Sequence, residues 1–114
     1  MAEEFTSKFS IDITDLKKGM QQANQLIRVA NSEFKAAAGG MGKWSDSADG
    51  LSAKLKELNT VQDLQKAKLE ILTAEYDKVV KAEGENSKGA QDLYIRINNL
   101  KGEIGKTGAQ IQHY

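Results

Sequence analysis

The sequence predicts an all-α fold: an antiparallel helical hairpin or coiled-coil-like bundle of three helical segments, preceded by one short strand. Apolar residues recur in alternating steps of four and three along three stretches of the chain, which places them on one face of a helix in each stretch. The 114 residues include no proline, so glycine clusters mark the breaks between the stretches. A chain of this length holds one small domain, and we expect residues 1–114 to form a single helical module.

A short strand is predicted for residues 5–13, because Phe9, Ile11 and Ile13 alternate with polar residues. One strand cannot satisfy its own backbone hydrogen bonds. These three residues are therefore candidates for strand pairing with another chain, and self-association of the protein is expected.

The first helix is predicted over residues 14–38, with Asp12 or Thr14 as its N-cap. The connector that follows, residues 39–50, is rich in Gly, Ser and Asp. Its glycines accept the left-handed conformations of a C-cap and a turn. Trp44 lies in this connector, where it can anchor the loop either on the helices or on a partner.

The second helix is predicted over residues 51–83 and the third over residues 87–110. The loop between them is short, which favours antiparallel packing of the two helices. Gly102, Gly105 and Gly108 weaken the last turns of the third helix. Its end is therefore expected either to fray or to press closely against a neighbour.

Two glutamines, Gln62 and Gln65, interrupt the apolar stripe of the second helix. Either they fix the register of a helix seam, or the stripe shifts locally to Val61 and Leu64. The stripes as a whole identify the candidate helix-packing residues. These are Leu16, Met20, Ile27, Phe34, Leu51, Leu55, Leu58, Leu69, Leu72, Tyr76, Val79, Leu93, Ile97, Leu100 and Ile104.

Composition argues against several classes of function. The 16 Lys and Arg residues balance the 16 Asp and Glu residues, so no direct binding of nucleic acid is expected. No run approaches the roughly 20 apolar residues of a membrane span, so we expect no membrane insertion by this region. There is no cysteine, and His113 is the sole histidine. We therefore predict no catalytic, cofactor-binding or metal-binding residue, no cofactor, and a protein that is not an enzyme.

Four segments carry a resemblance to a known family: residues 9–16, residues 30–37, residues 44–50 with the start of the second helix, and residues 81–88. In their order and spacing they resemble the amino-terminal region of tail tape measure proteins, minor tail proteins of siphophages and prophages. Such proteins lie inside the growing tail tube in several copies, and their helical length sets the length of the tail.

The resemblance implies a structural role in virion assembly. This chain would be a terminal fragment of a longer protein, located in the phage tail and, during assembly, in the host cytoplasm. Its implied partners are tail tube proteins, tail-tip proteins or assembly chaperones. Two alternatives remain at this stage: a small secreted helical hairpin with a Trp-x-Gly turn, although Asp46 stands where that glycine should be, and a generic coiled-coil interaction module.

Overall fold

The computed structural model describes residues 9–12 and 14–114, and it confirms the all-α class. Three helices follow one another: α1 (Leu16–Ala38), α2 (Ala48–Glu83) and α3 (Lys88–His113). A single 3₁₀ turn, Trp44–Asp46, lies in the connector between α1 and α2. Thus α2 begins before the predicted residue 51 and α3 continues past residue 110, through all three of its late glycines.

The predicted strand is wrong, because the part of the chain that the structure describes contains no strand. Phe9 is helical, Ser10 has a φ of 55°, and Ile11 and Asp12 form an irregular entry to α1. Ile13 lies outside the described residues.

The entry segment is held by helices and needs no second strand. Ile11 is only 7% exposed, and it is buried in a cluster with Ala23, Leu64 and Ile71. The backbone N–H of Asp12 donates a hydrogen bond of 2.8 Å to Oε1 of Gln22 in α1. Phe9 and Ile11 therefore belong to no strand in the part of the chain that the structure describes.

The cap of α1 is neither of the two predicted residues, Asp12 and Thr14. Asp15 is the N-cap, since its Oδ1 accepts the N–H of Lys18 at 3.0 Å. Asp12 instead accepts two hydrogen bonds from Thr14, one from the hydroxyl at 2.6 Å and one from the backbone N–H at 2.9 Å. These bonds lower the pKa of the Asp12 carboxyl. Serine side chains cap the other two helices. The hydroxyl oxygen of Ser47 accepts a hydrogen bond from the N–H of Gly50 in α2, and that of Ser87 accepts one from the N–H of Ala90 in α3.

We expect Asp15→Ala to lower the free energy of unfolding by about 1 kcal/mol, because it removes the side chain that satisfies the first turn of α1. Urea denaturation followed by circular dichroism measures the loss. Thr14→Ala is the control, since its hydroxyl bonds to the Asp12 side chain and to no helical N–H. Equal losses in the two variants would contradict the assignment of Asp15 as the cap.

The central helix, α2, packs between α1 and α3 and runs antiparallel to both. The first turn of α1 lies near Leu72 of α2, and Phe34 near its other end lies beside Lys54. Along α3, the side chain of Gln62 reaches the carbonyl of Ile104. The result is a rod of 53 × 25 × 21 Å, whose length is that of the 36-residue α2.

Candidate interaction surfaces

Two apolar seams hold the rod together, one on each side of α2. The seam between α1 and α2 has a buried cluster composed of Ile11, Ala23, Leu64, Ala67 and Ile71. The seam between α2 and α3 has a second buried cluster, composed of Leu72, Leu93, Ile97 and Leu100. Leu16 and Met20 pack against both clusters, so the two seams meet at the start of α1.

Every predicted helix-packing residue is at least half-buried. The fully buried ones are Leu58, Leu72, Leu93, Ile97 and Leu100. The half-buried ones are Leu16, Met20, Ile27, Phe34, Leu51, Leu55, Leu69, Tyr76, Val79 and Ile104. The structure thus brings these residues together in the two seams and at the connector end of the rod.

The prediction did not include a second stripe on α2 that packs on α1, and it named only Leu64 of that stripe, as a local shift. Leu64, Ala67 and Ile71 are at most 1% exposed, and they form a second stripe in steps of three and four. A central helix needs such a second stripe because it packs on two neighbours, whereas an outer helix packs on one. The spacing was visible in the sequence and is the signal that identifies these residues.

The two glutamines of α2 lie beside the seams. Gln62 donates from Nε2 to the carbonyl oxygen of Ile104 in α3, over 3.4 Å. Gln65 lines a shallow depression of about 720 Å³, and its buried Oε1 has no hydrogen-bond partner among the described residues. Leu64 is buried at this level in the seam with α1, and Val61 is half-buried.

An aromatic cluster closes the connector end of the rod. The ring of Trp44 lies edge-on to Phe34 of α1 at 5.2 Å and tilted against Tyr114 at 5.5 Å, measured between ring centroids. Lys54 places its ammonium 4.5 Å from the centre of the Phe34 ring and forms a 2.7 Å ion pair with Glu57. Trp44 therefore anchors the connector on the helices of its own chain.

A groove of about 570 Å³ runs between α1 and α2, next to the aromatic cluster. Its walls are mostly apolar, with small side chains on both helices and the charged Glu33, Lys56 and Glu57 at intervals. The apolar lining consists of Phe9, Leu26, Val29, Ala30, Phe34, Ala36, Ala37, Ala53 and Leu64. Such a surface suits an apolar contact.

Among the described residues, no group of three or more His, Cys, Asp or Glu side chains could hold a metal ion. His113 is exposed and contacts the neighbouring Tyr114 ring, with the ring centroids 4.9 Å apart. Over the same residues, no helix combines the length and the apolar character that a membrane crossing requires.

Comparison of the chain with protein-family models, curated proteins and solved structures finds no match.

Proposed function

We propose that this chain is the amino-terminal part of a tail tape measure protein of a siphophage or prophage. Its role is structural: it forms a compact helical module that assists tail assembly, while a long helical continuation sets the tail length. The observation that carries the proposal is the packing of large apolar side chains along the two helix seams of an elongated rod. Packing of this kind is typical of proteins that assemble through their helices.

Three of the four segments that carry the resemblance lie where a helix begins or where two helices are connected, and the fourth lies within α1. Of residues 9–16, those that the structure describes lead into α1, and residues 30–37 contribute to one wall of the groove. Residues 44–50 hold the aromatic anchor and the cap of α2, and residues 81–88 form the turn into α3. The resemblance therefore rests mainly on segments at which helices start or turn.

The alternative of a secreted Trp-x-Gly helical hairpin is less well supported. The described residues form three helices, and the tryptophan of the connector is covered by Phe34 and Tyr114 of the same chain. A partner-facing role for Trp44 would require this cluster to open first.

The experiment is carried out in the parent phage or prophage, with tail lengths measured on electron micrographs. An in-frame deletion in the helical part downstream of this region is expected to shorten the tail by about 1.5 Å per deleted residue, the rise of a helix. Leu55→Asp with Leu58→Asp, which introduces charges at a half-buried and a buried position of α2, is expected to reduce the number of tails and to leave the length of the remaining ones unchanged.

Ser52→Asp with Asn59→Asp is the matched control, because both positions are exposed on the same helix. This variant should produce tails in normal number and of normal length. Tails of unaltered length after a large downstream deletion would refute the assignment.

A further inference from the structure

One face of α3 is exposed and uncharged along the whole helix. We call it the outer face of α3, and its residues follow one another in steps of four and three. They are Gln91, Ile95, Asn98, Gly102, Gly105, Ala109 and Gln112. The opposite side of the helix contains its buried residues, among them Leu93, Leu100 and Thr107. More than a quarter of the chain is charged, so an uncharged exposed stripe of this length is unusual for a solvated helix.

The outer face carries apolar surface that is exposed among the residues that the structure describes. Ile95 is 55% exposed, and the adjacent Tyr94 is 54% exposed. A Cβ atom added at Gly102 or Gly105 would meet no atom of the described residues within 4 Å, so contacts among these residues do not require a glycine at either position. A second helix lying on this face would bury Ile95 and could approach closely over both glycines.

We propose that the outer face of α3 binds a second copy of this chain, with the two α3 helices antiparallel about a two-fold axis. When Ile95 of one copy lies opposite Gly105 of the other, Asn98 lies opposite Gly102 and Gln91 opposite Ala109. Each larger side chain thus meets a small residue, and the same contacts recur on both sides of the axis.

The charges beside the outer face favour the antiparallel direction. Asp92 and Lys106 lie on the same flank, and the antiparallel register sets Asp92 of each copy beside Lys106 of the other. The carboxylate of Asp92 is 56% exposed and binds Lys88 of its own chain through Oδ2, so its other oxygen is available to Lys106. In a parallel pair, Lys101 of each copy would instead lie beside Lys106 of the other, which gives two repulsive contacts. The antiparallel pair has one like-charge contact, between the two Lys101 side chains, which can diverge into water.

The test is sedimentation equilibrium of the full chain over a roughly fifty-fold range of concentration. The mass is expected to rise from that of the 12.5 kDa monomer toward twice that value. Gly105→Leu should hold the mass at the monomer value while circular dichroism keeps its helical signal, because Gly105 is exposed and a Cβ atom added there meets no atom of the described residues within 4 Å. Val29→Lys is the control, since Val29 is also an exposed apolar residue, 41% exposed, but lies on α1. It should dimerise as the unmodified chain does.

The direction of pairing is tested by exchanging charges. Lys106→Asp alone should raise the dissociation constant about tenfold, because it removes two attractive pairs and creates two repulsive ones. Combining it with Asp92→Lys should restore the original value. A monomer mass at every concentration, pairing that survives Gly105→Leu, or tighter pairing in Lys106→Asp would each overturn the proposal. It does not rest on the proposed role in tails.

Discussion

Replacing Leu72 by aspartate is expected to unfold most of the rod. Leu72 is 2% exposed and packs with Leu93, Ile97 and Leu100 at the centre of the seam between α2 and α3. The start of α1 packs on the same cluster through Leu16, so one buried carboxylate weakens both seams. An unpaired buried charge costs several kcal/mol, a large part of the roughly 5–15 kcal/mol that stabilises a domain.

Circular dichroism at 25 °C and thermal melting measure this effect. We expect Leu72→Asp to lose most of the helical signal at neutral pH. Ile95→Asp is the matched control, because it places the same charge in a helix at a position that is 55% exposed. Its melting temperature should change little, measured at a concentration at which the chain is monomeric. A melting temperature of Leu72→Asp close to that of the control would mean that the seam between α2 and α3 is not part of the stable core.

The all-α class could be predicted because the stripes repeat over many helical turns, and long periodic signals outweigh local exceptions. The strand could not be excluded from the sequence, since three alternating apolar residues fit a strand and an irregular helix entry equally well. What decides between them is tertiary: Ile11 inserts between α1 and α2, and Gln22 binds the backbone of Asp12. Neither contact is visible in a local pattern.

The cap of α1 is a similar case. Asp12, Thr14 and Asp15 are all good N-cap residues, and sequence alone does not rank them. The choice follows from the entry segment, in which Asp12 and Thr14 satisfy each other and leave Asp15 for the helix. Trp44 was also undecided, because its contacts come from Phe34, earlier in the chain, and from Tyr114, at the far end of α3. Long-range contacts of this kind follow from the fold as a whole.

The candidate interaction surfaces were predictable only in part, for a physical reason. Narrow stripes identify the residues that an outer helix buries, but they do not indicate that α2 packs on two sides. Leu64, Ala67 and Ile71 lie outside the main stripe of α2 for this reason. The outer face of α3 was not predicted, because an uncharged exposed face becomes visible only when the buried side of the helix is known.

The same substitution, glycine to alanine, is expected to have opposite effects at two helical positions. At Gly19 in α1 the added methyl group would overlap the carbonyl oxygen of Asp12 and lie 2.9 Å from Cδ1 of Ile71. We expect Gly19→Ala to lower the free energy of unfolding by about 1–3 kcal/mol, the usual cost of overpacking. At Gly105 in α3 the methyl group would meet no atom within 4 Å. Gly105→Ala should therefore raise the free energy of unfolding by about 0.5–1 kcal/mol, since alanine restricts the unfolded chain.

Urea denaturation of the two variants, at a concentration at which the chain is monomeric, measures both effects. Ile71→Val identifies the origin of the first one, because valine lacks the Cδ1 atom that the methyl group added at Gly19 would meet. If the side chain alone caused the overlap, Ile71→Val would remove the whole cost of Gly19→Ala in a double-mutant cycle. Since the Asp12 carbonyl also blocks the methyl group, we expect the rescue to be partial. Stabilisation by Gly19→Ala would contradict the packing of the entry segment on α1, because only a displaced Asp12 carbonyl leaves room for the methyl group.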